Sequence, residues 1–155
     1  MKEHHYYPVI TWTGNKGEGT KDYKAYERDH TIEVSGKPVI AGTSEVSYFG
    51  NQSRYNPEEL LVASLSACHM LWYLHLCAVN KIVITAYTDK AVGTMRNTPD
   101  GSGRFTAVIL KPEITIEGKA DEILLQQLHV QANKLCFIAN SCNFPVGHEP
   151  MYLFA

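Results

Sequence analysis

The stretch from Tyr55 to Val79, Y-N-P-E-E-L-L-V-A-S-L-S-A-C-H-M-L-W-Y-L-H-L-C-A-V, decides how the chain folds. Asn56 is a helix N-cap by residue type, and Pro57 suits the first helical position, where a missing N–H costs nothing. Glu58 and Glu59 follow in the first turn, where the positive end of the helix dipole favours carboxylates. Beyond them the groups that ionise near neutrality are His69 and His75, beside the thiols of Cys68 and Cys77. Leu61, Ser64, Leu65, Cys68, Trp72 and His75 share one side at helical spacing, and Leu60, Ala63, Ala67, Met70, Leu71 and Leu74 cover much of the rest. A helix apolar nearly all round is expected to be buried on most sides. The thiol halfway along it poses the chemical question.

Working outward, residues 6–12 are β-branched and aromatic and predict a strand, with Gly14 to Gly19 as a turn. Residues 22–34 predict a second pair of extended segments, and Gly36-Lys37-Pro38 breaks them. Val39 to Phe49 reads as irregular. C-terminal to the helix, Ile82 to Val92 alternates as a strand should, Arg96 to Gly103 has the composition of a hairpin loop, and Phe105 to Ile116 is again strand-like. Pro112 marks a bend or an edge there. Asp121 is placed to cap a second helix whose Ile123, Leu124, Leu128, Leu135 and Ile138 form an apolar stripe. The tail ends in M-Y-L-F, a last short strand. The order predicts a single α+β domain over residues 1–155, with a long buried central helix and a second helix packed on antiparallel sheet. A helix with so little polar face also suggests a dimer with a shared core.

At 155 residues the chain is long enough for a real core. A net charge of −2 without a Lys/Arg cluster argues against a nucleic-acid partner. The central stretch has the length of a membrane span. Its Ser, His and Cys residues and its double-Glu start favour a buried helix in a protein without a membrane partner. The N-terminus has no apolar signal region, and four cysteines without an export signal fit reduced thiols in the cytoplasm.

Cys68 and Cys136 stand out, because each lies on or near the end of a predicted helix. Buried cysteine is often only a small hydrophobe, and Cys77 and Cys142 are read that way. His75 lies two turns beyond Cys68, about 10 Å away, too far for the two to share one metal. No Cys/His pair falls at i,i+3 or i,i+4 and there is no C-x-x-C, so a metal would need ligands assembled by the fold. A hydrolase using Cys68 with His69 is one alternative; a non-catalytic ligand-binding or stress-associated dimer is another.

The segment N-P-E-E-L-L-V-A-S-L-S-A-C (Asn56 to Cys68) resembles the signature of the OsmC/Ohr family of hydroperoxide-reducing proteins, and C-F-I-A-N-S (Cys136 to Ser141) resembles its second-cysteine segment. The order of elements agrees with that family. Phe137 stands where the family usually has proline, Arg54-Tyr55 where it usually has Gly-Thr, and His69 where an apolar residue is common. These differences suggest a divergent subgroup. The resemblance implies an intertwined homodimer and a two-cysteine peroxidase of the oxidative stress response, without metal or flavin cofactor. In it Cys68 attacks an organic hydroperoxide, Cys136 resolves the sulfenic acid as a redox-active disulfide, and an external dithiol, of which a lipoyl group is one type, reduces it. A thiol of pKa about 8.5 is mostly protonated at neutral pH, so a cation must hold the charge. By the resemblance that cation is an arginine oriented by Glu58. Arg28 is preferred and Arg54 is the alternative. Glu58 lies ten residues, about 15 Å, from Cys68 along one helix, which favours a pocket drawing on two subunits. Trp72, Tyr48, Phe49 and Phe144 are candidates for an apolar lining.

Overall fold

A computed structural model describes residues 2–155, which form two compact units, one ending at Leu60 and one spanning Leu61–Ala155. In the first unit, β1 (Val9–Trp12), β2 (His30–Glu33) and β3 (Ile40–Gly42) make an antiparallel sheet in that order. Two further bonds, Thr13 N–H to Asp29 O and Glu27 N–H to Gly14 O, both 2.9 Å, continue the β1–β2 ladder. A Cβ at Gly14 would stand 1.9 Å from Glu27 O, so this approach requires glycine. The extended pair expected over 22–34 shrinks to β2. Asp22 instead closes a turn, accepting from Lys24 N–H at 2.9 Å, as a short polar side chain does when it competes with the ladder. The region read as irregular contains β3 and a 3-10 turn, Val46–Tyr48, which Glu45 caps. Tyr55 returns along β3, donating to Ala41 O and accepting from Thr43 N–H.

Helix α1 (Pro57–Val79) starts where the sequence predicts. Asn56 Oδ1 accepts from Glu59 N–H at 2.8 Å, and Glu59 Oε2 accepts from Asn56 N–H at 3.1 Å. This reciprocal capping box satisfies two otherwise bare donors, and a side-chain N-cap contributes about 1 kcal/mol.

The second unit holds the rest of α1, six strands and α2 (Glu122–Leu135). Strands β4 (Ile84–Asp89), β7 (Pro112–Ile116) and β9 (Met151–Phe154) form one sheet in the order β4-β7-β9. Strands β5 (Val92–Asn97), β6 (Gly103–Leu110) and β8 (Val146–His148) form another, ordered β5-β6-β8. The β4–β7 and β5–β6 pairs are antiparallel, as expected, but β8 and β9 add in parallel, because the chain crosses over through α2 before returning. Arg96, assigned to a loop from its neighbours' composition, lies within β5, opposite Arg104 of β6. Its hairpin turn is shorter than predicted. Pro112 opens β7, where no ladder donor is lost. Between the sheets Asp89 bridges the break, accepting from Lys111 N–H at 2.7 Å and from Ser66 Oγ–H of α1 at 2.5 Å.

The expectation that α1 is buried on most sides needs correction. By length and composition it could cross a membrane, with a mean hydropathy of 1.5. Its buried residues, however, are Leu65, His69, Tyr73 and Cys77, one stripe at intervals of four, while Leu71 and Val79 are 63% and 65% exposed. That stripe shares only Leu65 with the face read from the sequence, because the apolar residues around the helix do not single out one direction. Tyr73 and Cys77 pack with Ile114, Ile116, Leu125, Leu128 and Ala132 between the helices and the β4-β7-β9 sheet. Leu65 faces the β5-β6-β8 sheet and packs there with Val108 and Leu110. Asp121 caps α2 as expected, accepting from Ile123 N–H at 2.9 Å. The inner face of α2 is Leu125, Leu128, His129 and Ala132, and Ile123 of the predicted stripe is exposed.

Candidate active site

The second unit brings Cys68 and Cys136 together. Cys68 sits half-buried midway along α1, and Cys136 is buried at the residue that ends α2, one position beyond the last helical residue. The Cys68 thiol is near enough to Cys136 to raise its pKa. Ala139 N–H donates to Cys136 Sγ at 3.4 Å from the 3-10 turn that follows. Burial first, and then the neighbouring thiol, push Cys136 up to about 11, against the lowering effect of that N–H. None of the four cysteines is joined in a disulfide.

An apolar groove of about 300 Å³ lies one turn of α1 beyond Cys68, lined by Leu71, Trp72 and His75. Leu71 and Trp72 lie three and four residues from Cys68, one turn on along the same side of α1. Phe137, next to Cys136, meets the Trp72 ring edge-on at 5.9 Å. The proline usual at that place could not make this contact. Phe144 does not line this groove: it packs on Phe105 at 5.4 Å and lines a different one with Arg104.

Behind the thiols lies a cluster that the sequence reading missed. His69 Nε2 is 2.8 Å from His129 Nδ1, and both rings are fully buried and nearly parallel. His148 stacks on both, at 5.6 Å and 5.3 Å, and Tyr73 stacks on His129 at 3.8 Å. Burial and the nearby His148 depress His69 to about 4, and burial with both neighbouring rings depresses His129 further. The rings are therefore neutral at pH 7. They stack rather than converge: among the described residues no group of three His, Cys, Asp or Glu side chains could hold a metal ion. A buried His69 bonded to His129 is also not free to serve as the base of a Cys68 hydrolase. One signal was available, since His69 and Tyr73 are four apart on α1 and His129 lies on the inner face of α2, but polar rings do not register in an apolar stripe.

The remaining candidates belong to the first unit. Arg28 lies in an aromatic cage, its guanidinium 4.3 Å from the Tyr23 ring, 4.2 Å from Tyr26 and 5.2 Å from Phe49. It donates to Tyr26 O, and to Tyr23 O at 2.6 Å. Phe49, at φ 64° beyond the 3-10 turn, supplies one wall of this cage, while Tyr48 is half-exposed. Arg54 pairs instead with Asp29, at 3.0 Å. Glu59 performs the capping, and Glu58 keeps a buried Oε2 without a hydrogen-bond partner.

A two-helix α+β protein with a thiol pair between its helices is what the fold and site define, and residues 50–149 match the family model described as OsmC-like protein. The chain belongs to the OsmC-like family. Among solved structures it is 32% identical to an OsmC-like protein of unknown function from Vibrio cholerae O1 biovar eltor, with a TM-score of 0.86 over 97% of this chain and 100% of that one. An organic hydroperoxide resistance protein from Elizabethkingia anophelis is 18% identical, with a TM-score of 0.65 over 99% and 100%. An organic hydroperoxide resistance protein OsmC from Legionella pneumophila is also 18% identical, at 0.67 over 97% and 98%. These two likenesses show the fold. No curated protein matches the chain.

Proposed function

We propose that the chain is a thiol peroxidase that reduces organic hydroperoxides in the cytoplasm, as one domain in a homodimer. The nearness of Cys68 to Cys136, with an apolar groove one turn of α1 beyond Cys68, carries this reading. The Cys68 thiolate attacks the distal oxygen of ROOH, breaking the O–O bond. Sulfur is oxidised to a sulfenic acid, and the alkoxide leaves and takes a proton as ROH. Cys136, after losing its proton, attacks the Cys68 sulfur and expels hydroxide, which becomes water. An external dithiol returns the disulfide to two thiols. Trp72, Leu71 and Phe137 receive the organic part of the substrate. The exposed outer face of α1, which Val79 represents, is where the second subunit packs.

Glu58 and an arginine hold the Cys68 thiolate. The unpartnered Glu58 oxygen favours Glu58 over Glu59, which the capping box already occupies. Arg28 is the first candidate and Arg54 the second. Removing the operative charge should slow the attack of Cys68 on the hydroperoxide, because the cation that holds the attacking sulfur's charge is lost. The rate of Cys68 oxidation by cumene hydroperoxide should therefore fall in one of Arg28→Gln and Arg54→Gln but not the other. Parental rates in both variants would contradict the arginine assignment.

Steady-state turnover with cumene hydroperoxide and dihydrolipoamide tests the function. The parent should turn over continuously. Cys136→Ser should consume one equivalent in forming the sulfenic acid and a second in passing to sulfinic acid, because no neighbouring thiol of the chain intercepts the sulfenic acid. Equal steady-state rates in variant and parent would remove Cys136 from the resolving role, and no consumption by the parent would overturn the reading.

A further inference from the structure

The buried imidazole pair joins the same two helices that carry the thiols. His69 follows Cys68 on α1, and His129 stands on α2 two turns, about 10 Å, before Cys136. As a contribution to stability the pair is a poor choice. Its one hydrogen bond adds little net stability. Against that, His69 Nδ1 and His129 Nε2 are buried without partners, and each such atom costs at least as much as that bond returns. Two apolar side chains of similar volume would serve the core better. What the pair supplies is direction: an N–H···N bond between parallel rings has one length and one orientation, unlike a contact between hydrocarbons. Tyr73 against His129 and His148 against both rings restrict it further.

Resolution of a sulfenic acid is sensitive to this kind of restraint. A disulfide needs an S–S distance near 2.05 Å with narrow limits on the Cα separation, and a misplacement of about 1 Å can cost two orders of magnitude in rate. Building on the peroxidase reading above, we propose that the His69–His129 pair is a positioning device that holds α1 and α2 in the register at which Cys136 reaches the Cys68 sulfenic acid. Neither histidine touches the peroxide. Its loss should affect the second chemical step and the redox poise of the disulfide, and spare the first.

Geometry supplies variants that separate bond from bulk. In His129→Asn the side-chain amide falls near the place of Nδ1 and keeps a partner for His69. In His129→Leu the bond is lost at similar volume. The measurements, on the full chain, are the rate of Cys68 oxidation by cumene hydroperoxide, the fraction of sulfenic acid trapped by dimedone, the rate of disulfide formation, and the disulfide's equilibrium with dithiothreitol. His129→Leu should oxidise Cys68 at the parental rate, form the disulfide about tenfold more slowly and accumulate the trapped adduct. Its disulfide should be about tenfold easier to reduce, which is about 30 mV. His129→Asn should stay within about twofold of the parent. If His129→Leu fails to fold, the double variant His69→Leu/His129→Leu, which leaves no bare nitrogen, takes its place with the same expectation. Parental resolution rate and potential without the bond would overturn the inference alone, as would equal slowing of both steps. A parent that forms no Cys68–Cys136 disulfide would overturn the peroxidase reading and this inference with it.

Discussion

Cys68→Ser is expected to lower hydroperoxide consumption by at least about 10³-fold, to the background set by the other thiols. That loss corresponds to more than about 4 kcal/mol of transition-state stabilisation. The size follows from chemistry rather than packing. Serine is nearly isosteric, so the helix and the groove of Leu71, Trp72 and His75 should remain. An alcohol does not ionise near neutrality, however, and cannot form a sulfenic acid. The three remaining cysteines do not replace it: Cys77 and Cys136 are buried and pushed up to about 11, chiefly by burial, and Cys142 donates its S–H to Ile138 O at 3.3 Å. Circular dichroism and the melting temperature should be close to the parent's, while peroxide consumption falls. A variant that retains a tenth of parental turnover would mean that another thiol is the nucleophile.

The second large effect is a loss of stability in mild acid. His69, His129 and His148 all have pKa values below that of a free imidazole, chiefly because burial disfavours their charged forms. Unfolding exposes them at about 6.5. The unfolded chain therefore binds more protons than the folded one below that pH, and stability falls as pH falls. Their contribution is complete above about pH 7 and is lost progressively toward the folded value, about 4 for His69. At pH 5 each fully buried ring should cost about 2 kcal/mol relative to pH 7, so His69 and His129 together should cost about 4 kcal/mol. For a domain of this size that lowers the melting temperature by roughly 10 °C. His129→Asn should remove one ring's share and roughly halve the slope of stability against pH between 5 and 6.5. A parental melting temperature that does not change from pH 7 to 5 would show that the rings are not neutral and buried in solution.

The central helix was legible because its boundary signals are local. Asn56, Pro57 and the paired glutamates state where it starts, and the capping box forms as such residues allow. The second helix was equally legible from Asp121. Their inner faces were not. An all-apolar helix carries no directional signal, so the stripe Leu65, His69, Tyr73 and Cys77 emerges only when the sheets and α2 are in place. The same holds for the histidines, whose meeting depends on contacts between residues sixty positions apart. Parallel addition of β8 and β9 was hidden because alternation reports a strand, never its partner. The pairing of Cys68 with Cys136 came from resemblance in two short motifs. Spacing along the chain could not have supplied it.

One measurement bears most directly on the account: the sulfur connectivity of reduced protein after a single equivalent of cumene hydroperoxide, read by peptide mass mapping with free-thiol counting. A peroxidase using Cys68 and Cys136 loses two thiols and gives one linked peptide pair joining Cys68 to Cys136, with Cys77 and Cys142 still free. Four unchanged thiols, or a crosslink that omits Cys68, would contradict that mechanism.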